Sequence, residues 1–130
     1  MVNFGLANIS DIAKINERVG ENSLLTPDTL LLCGKQGDEI IMWFAFRIDD
    51  DKIEILDIYA DNNDEKLLFF CGKSGLNTLD LTGYRNIISK NEKINDVLYK
   101  LGFKKEEDED KVFYLVITDD YFKAGCCEHF

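Results

Sequence analysis

The sequence has little positive charge, and this shortage excludes two classes of partner. Its 130 residues carry 15 Lys and Arg against 25 Asp and Glu, a formal net charge of −10. Because proteins bind nucleic acid and anionic lipid chiefly by neutralising phosphates, neither is an expected partner of so acidic a chain. A cationic amine or a basic protein surface suits this charge better, and we expect a monomer or a homodimer.

Long apolar runs and histidine are also scarce. No window approaches the about 20 apolar residues of a transmembrane helix, and residues 1–10 lack the basic start of a secretory signal.

The four cysteines form no Cys-x-x-Cys motif, which predicts a cytoplasmic protein with reduced thiols. The one histidine is His129, so no Ser/His or Cys/His catalytic pair is expected in the body of the chain. The segment Cys126-Cys127-Glu128-His129 lacks the spaced pairs of a zinc site, and no metal is predicted.

The composition that is present predicts one globular domain. Hydrophobic residues make up 45% of the chain and aromatic residues 12%, which argues against disorder. The chain contains one proline and no Ser/Gly-rich linker, so nothing indicates a boundary between domains. We therefore predict a single domain over residues 1–118, followed by a C-terminal tail over residues 119–130.

Hydrophobic periodicity predicts an alternation of helices and strands. Apolar residues at helical spacing indicate helices over residues 10–20, 62–75 and 89–102. Ser10 and Ser89 are the expected N-caps, and Gly72 and Gly75 are expected to weaken the end of the second helix. Strands are predicted over residues 2–6, 29–33, 39–48, 52–59, 85–89 and 112–117. This order predicts an α/β (α+β) fold, in which a mixed, mostly antiparallel sheet carries helices on both faces.

The end of the third predicted helix carries a family resemblance. The residues Leu98-Tyr99-Lys100-Leu101-Gly102-Phe103 resemble the Leu-Tyr-x-x-Leu-Gly-Phe ending of the fourth helix in the GNAT superfamily of acyl-CoA N-acyltransferases. Asn91 approximates the asparagine that usually opens that helix, and the element order is similar over residues 1–118. The resemblance implies the GNAT fold.

The same resemblance implies an activity and a set of site residues. The activity would be an N-acetyltransferase type of reaction, in which acetyl-CoA or another acyl-CoA is the co-substrate and an amine receives the acyl group. Tyr99 would protonate the leaving thiolate of coenzyme A. The other residues that would bind the cofactor are Ile58, Tyr59, Ala60, Asn63, Lys66 and Asn91.

Two carboxylates on the third strand of the predicted meander are candidates for a general base. Members of the family often place such a base on this strand to deprotonate the amine. Alternation along the strand predicts that Glu54 shares a face with Leu56 and Ile58, and that Asp57 faces the other way with Ile55. Burial would raise the pKa of either carboxyl group and suit it to this role.

The phosphate-binding loop of the family has no counterpart in this sequence. The family motif, Arg/Gln-x-x-Gly-x-Gly/Ala, lets backbone N–H groups approach the pyrophosphate of coenzyme A. The corresponding residues 59–68 contain neither glycine nor arginine, and carry Asp61, Asp64 and Glu65 against Lys66. The alternative is therefore a non-catalytic GNAT-like module, with a regulatory or protein-binding role, that has lost the coenzyme A site.

Overall fold

The structure is a computed structural model that describes residues 2–20, 28–106, 112–118 and 121–122. The strands in these ranges are β1 (Val2–Leu6), β2 (Leu30–Gln36), β3 (Glu39–Asp49), β4 (Lys52–Ala60), β5 (Asn86–Ser89), β6 (Lys104–Lys105) and β7 (Phe113–Val116). They form one sheet in the order β1-β2-β3-β4-β5-β7-β6. The helices are α1 (Ile9–Val19), α2 (Glu65–Leu81) and α3 (Asn95–Lys100). Adjacent strands are antiparallel except β4 and β5, which confirms the predicted fold class.

The sheet carries a hydrophobic cluster on each face. On one face α2 and α3 cover the larger cluster, which includes Met42 and Phe44 of β3. On the other face Ile15 of α1 packs into a smaller cluster with Trp43 and Ala45. The central strand β3 is therefore apolar on both sides, as its sequence predicts. None of the described helices is long and apolar enough to cross a bilayer.

The glycines of α2 pack closely instead of ending the helix. Helix α2 continues to Leu81, so the expectation that Gly72 and Gly75 weaken its end was wrong. A Cβ atom at Gly72 would lie 2.5 Å from Cδ1 of Leu101, and one at Gly75 would overlap the ring of Phe44. Each glycine costs helix stability of about 1 kcal/mol. In exchange, the absence of a side chain lets α2 approach β3 and α3.

The structure confirms the two glycines predicted at helix ends and corrects two of the predicted N-caps. Gly20 ends α1 with a φ of 67°, and Gly102 follows α3 with a φ of 97°, as predicted from their positions. Helix α1 begins after Asn8 rather than Ser10. Ser89 does not cap the turn that leads into the third helix, because Asn91 is its N-cap and accepts from the backbone N–H of Lys93 at 3.1 Å. The hydroxyl of Ser89 instead donates to the carbonyl oxygen of Ile55 at 3.0 Å.

Part of the predicted tail packs on the domain. The hydroxyl of Tyr121 donates a hydrogen bond to the carbonyl oxygen of Leu101. Phe122 contacts the larger hydrophobic cluster, and the ammonium of Lys73 lies 3.9 Å from the centre of the Tyr121 ring. The packing of the domain thus continues past residue 118.

Candidate functional site

The site begins where β4 and β5 separate. The two strands pair in parallel until Ile55 meets Ser89, where β5 ends, while β4 continues to Ala60. At this point the side chain of Asn91 donates to the carbonyl oxygen of Leu56 at 2.9 Å. Beyond it, residues 57–60 have β3 on one side and no strand on the other within the described residues. Backbone polar groups at this end of β4 are therefore available to a ligand.

A β-bulge brings the two candidate bases to the same face of the sheet. Ala45 pairs with Asp57 and Phe46 pairs with Ile55, so Leu56 is an extra residue in β4. Asp57 consequently lies on the α1 face with its partner Ala45, and Glu54 lies on that face as well. The prediction that Asp57 faces away from Glu54 was wrong, because strict alternation does not survive an inserted residue.

Asp57 is a half-buried carboxyl group held by Trp43. The indole Nε1 of Trp43 donates to Oδ2 of Asp57 at 3.0 Å. Burial raises the pKa of Asp57 above its usual 3.8. The hydrogen bonds from Trp43 and from the backbone N–H of Ile58 and the charge of Lys93 offset part of this increase. A carboxylate with a raised pKa binds a proton more strongly and is better suited to deprotonate an amine.

The carboxylate of Glu54 forms an ion pair with Arg47. Its Oε1 atom lies 2.7 Å from Nη2 of Arg47 and accepts from Nε of Arg47 at 2.9 Å. The two residues are direct cross-strand neighbours, and the Glu54 side chain is 10% exposed. The carboxylate of Glu54 is therefore held by a charged partner, whereas that of Asp57 accepts from the neutral indole of Trp43.

Two cavities adjoin the separated strands. The first, which we call the α2–α3 cavity, measures about 320 Å³ and is lined by residues that include Ile58, Asn63, Glu65, Lys93 and Lys100. The second, the β4 cavity, measures about 430 Å³ and is lined by residues that include Glu54, Leu56, Lys90, Asn91, Glu92 and Lys93. Lys93 lines both. Each is within the usual size of a small-molecule pocket.

The first turn of α2 is closed by its own side chains. Oδ1 of Asp64 accepts from the backbone N–H groups of Lys66 at 2.9 Å and of Leu67 at 3.1 Å. Glu65 forms a 3.4 Å ion pair with Lys100 of α3. These contacts use the N–H groups that would otherwise attract an anion and add negative charge beside them.

The loop before α2 obtains its turn without glycine. Asn62 and Asn63 have φ values of 61° and 52°, a region that asparagine tolerates better than most residues. The loop therefore bends, but its side chains and the capped amides leave no cradle for a diphosphate. Only part of coenzyme A consequently fits the site. The end of β4 and the α2–α3 cavity suit its pantetheine arm, whereas the start of α2 does not suit its diphosphate.

The remaining predicted cofactor residues occupy different surroundings. Ala60 is fully buried, and the ring of Tyr59 stacks on Trp43 with centroids 3.9 Å apart, on the α1 face. The side chain of Lys66 is exposed on α2. The structure thus brings Ile58, Asn63 and Asn91 to the cavities, whereas Tyr59, Ala60 and Lys66 line neither of the two.

Tyr99 lies outside both cavities. It is 57% exposed, and its ring contacts Phe113 edge to face with centroids 4.9 Å apart. The family ending has two residues between its tyrosine and leucine, whereas one residue separates Tyr99 from Leu101 here. One residue rotates a helical side chain by about 100°. Leu98, which is fully buried, therefore occupies the inward direction, and Tyr99 is not brought together with Asp57.

The predictions from sequence missed Arg18. Its guanidinium donates to the carbonyl oxygen of Ile40 at 2.7 Å and to Asp61 at 2.9 Å, and its Cζ lies 5.4 Å from the ring centre of Trp43. These contacts connect α1 to β3 and to the loop before α2. They join residues 22 to 43 positions apart, and no local pattern could have indicated them.

A metal centre finds no support in the part of the chain that the structure describes. No group of three or more His, Cys, Asp or Glu side chains there is placed to hold an ion. The segment Cys126-Cys127-Glu128-His129, for which no metal site was predicted, lies outside the described residues.

The fold is shared with solved N-acetyltransferase structures. The chain is similar to an IAA acetyltransferase from Bacillus cereus ATCC 14579, with a TM-score of 0.70, 12% identity and coverage of 90% of this chain and 100% of that one. It is similar to the ribosomal-protein-S18-alanine N-acetyltransferase from Escherichia coli, with a TM-score of 0.67, 13% identity and coverage of 91% and 95%. A GNAT-family N-acetyltransferase from Escherichia coli in complex with CoA gives a TM-score of 0.66, 14% identity and coverage of 92% and 83%.

These similarities concern structure alone. No family profile matches the sequence, and no curated protein matches it. At such identities the comparisons establish the fold: the chain has the GNAT fold of the acyl-CoA N-acyltransferases, which confirms the expectation from the element order and the end of the third helix.

Proposed function

We propose that the chain transfers an acyl group from a coenzyme A thioester to an amine. The observation that carries this proposal is the position of Asp57. Its half-buried carboxyl group lies on β4, immediately after the bulge and at the point where β4 leaves β5. A proton acceptor here is adjacent to open strand backbone and to a cavity of about 430 Å³ that begins at the neighbouring Leu56.

Each part of the site would have a separate role in the reaction. The open backbone of residues 58–60 would align the pantetheine arm by hydrogen bonds, as a short strand would. Ser89 and Asn91 donate to the carbonyl groups of Ile55 and Leu56, which fixes the end of β5 to β4 at the point where their pairing stops. The co-substrate supplies the activated acyl group as a thioester. A C–N bond would replace the C–S bond, and the proton of the attacking amine would be taken up at the carboxylate of Asp57. Coenzyme A would leave as a thiolate and take up a proton from water.

Thermal unfolding with millimolar acetyl-CoA, combined with an assay of thiol release in the presence of an amine panel, tests this proposal. A ligand at 100 times its Kd stabilises the folded state by about 2.7 kcal/mol, which corresponds to several degrees in a domain of this size. We expect such a shift together with amine-dependent release of free thiol. The absence of both a shift and a calorimetric signal with acetyl-CoA overturns the proposal.

A second candidate is a GNAT-like module without catalytic activity. The specific observation in its favour is the capping of Lys66 and Leu67 by Asp64, which occupies two N–H donors at the start of α2 and places a carboxylate where a diphosphate would lie. This alternative predicts a folded chain that neither coenzyme A nor pantetheine stabilises. Binding of either compound in calorimetry rejects it.

A further inference from the structure

The unpaired charged side chains that line the β4 cavity are mostly positive, although the chain as a whole is acidic. The whole chain carries −10. The carboxylate of Glu54 is paired with Arg47 at 2.7 Å, so it contributes no free negative charge to the cavity. The other charged groups that line it are Lys90, Glu92 and Lys93, two cations against one anion.

The two lysines are also available to a ligand. Both follow the end of β5, their side chains are exposed, and the structure gives neither ammonium an ion pair with any residue in the ranges it describes. Asp57 directly follows Leu56, which lines this cavity together with both lysines, and the charge of Lys93 lowers the pKa of Asp57. A ligand that places an amine at Asp57 and extends past Leu56 into the cavity therefore meets two ammonium groups.

We infer that the acyl acceptor carries a carboxylate beside its amine, so that its class is an α-amino acid rather than a simple cationic amine. This inference rests on the proposed acyl transfer. The carboxylate would lie against Lys90 and Lys93, and the amine would be directed towards Asp57. Charge-assisted contacts of this kind favour the acid over an uncharged analogue, and the lysines disfavour an acceptor with a second cation.

Calorimetric titration of the chain with three matched sets of compounds, in the absence of coenzyme A, tests the inference. The sets are alanine, alaninamide and ethylamine; leucine, leucinamide and isopentylamine; and phenylalanine, phenylalaninamide and phenethylamine. In at least one set we expect the amino acid to bind at least about tenfold more tightly than its amide and than the decarboxylated amine. The double variant Lys90→Gln/Lys93→Gln should lose this preference.

A control variant and a set of contradicting results test the inference independently of the proposed function. Lys52→Gln removes an exposed lysine at the opposite end of β4 and should keep the preference for the acid. Equal binding of acid and amide, a preference that survives in the double variant, or no binding by any set overturns the inference. Each of these results leaves the proposed function standing if acetyl-CoA still stabilises the chain and thiol release still depends on an amine.

Discussion

The end of β4 is open to a ligand, whereas the start of α2 is blocked by its own side chains, although both line the α2–α3 cavity. At the end of β4, backbone groups lack a strand partner, and the carbonyl group at the point of separation is held by Asn91. At the start of α2, the carboxylate of Asp64 occupies two N–H groups.

The difference shows which features of a fold persist without a ligand. The separation of β4 from β5 depends on packing and on hydrogen bonds within the chain, which stabilise the fold in any case. A diphosphate site depends on N–H groups that remain unsatisfied until a ligand arrives, and one carboxylate in the helix cap removes them. A fold can therefore keep the framework of a site and lose one part of its ligand binding.

The largest effect is expected at the open end. Asp57→Asn keeps the hydrogen bond from Trp43 and removes the proton acceptor, so the rate of acyl transfer should fall about 10²–10⁴-fold. Steady-state kinetics with acetyl-CoA and a saturating amine measures this change, and the affinity for acetyl-CoA should be unchanged. Glu54→Gln is the matched control, because it removes the neighbouring carboxylate and should have the smaller effect on rate. A fully active Asp57→Asn variant would remove Asp57 from the mechanism.

The pH dependence of folding gives a second test of Asp57. Because the pKa is raised above 3.8 in the folded state, the folded chain binds this proton more tightly than the unfolded chain does. Ionisation of Asp57 should therefore lower the free energy of unfolding as the pH rises from 3.8 through the folded-state pKa. Denaturant unfolding of the wild type and of Asp57→Asn between pH 4 and pH 7 should show the wild type losing stability relative to the variant. A difference that does not change over this range contradicts the burial of the carboxyl group.

A smaller effect is expected at the closed start of α2. Asp64→Ala should lower the free energy of unfolding by about 1 kcal/mol, because an N-cap is lost. It should tighten coenzyme A binding by about fivefold, since a carboxylate about 4 Å from a phosphate contributes about 1 kcal/mol of repulsion in water. Asn8→Ala, which removes the cap of α1, should cost similar stability and leave affinity unchanged. Equal affinities of Asp64→Ala and the wild type would show that Asp64 does not close the site.

The smallest effect is expected at Tyr99. Its ring lies on Phe113, outside both cavities, so Tyr99→Phe should change the rate of acyl transfer by less than about threefold, far below the loss that follows removal of a general acid. Kinetics at the pH optimum measures this ratio. A loss of about 10²-fold or more would show that Tyr99 reaches the reacting sulfur and that the role implied by the family resemblance holds.

Most of the fold could be predicted because local patterns determine it. Strand β1 coincides with the predicted Val2–Leu6, and Gly102 has the positive φ expected of a residue that ends a helix. The wrong predictions about the fold concern residues whose contacts lie far away in the sequence. Gly75 is required by the ring of Phe44 on another element, and a pattern within α2 carries no sign of that ring.

The candidate site was less predictable than the fold. Asp57 was identified as a carboxylate on the third predicted strand of the meander, and Asn91 from the family resemblance. The face on which Asp57 lies, however, depends on a single extra residue, Leu56. Alternation of side chains assumes a uniform strand, so it assigned Asp57 to the wrong face. Tyr99 was assigned a role by similarity to a motif that is one residue longer, and a shift of one residue changes the direction of a side chain on a helix.

Calorimetric titration of the wild-type chain with coenzyme A, pantetheine and ADP tests most directly whether the end of β4 binds its ligand while the start of α2 does not. Coenzyme A should bind no more tightly than pantetheine and up to about fivefold more weakly, because its diphosphate gains no contacts and is repelled by the carboxylate of Asp64, and ADP should not bind. Binding of coenzyme A more than about tenfold tighter than pantetheine, measurable binding of ADP, or failure of pantetheine to bind would contradict the division between an open β4 and a closed α2.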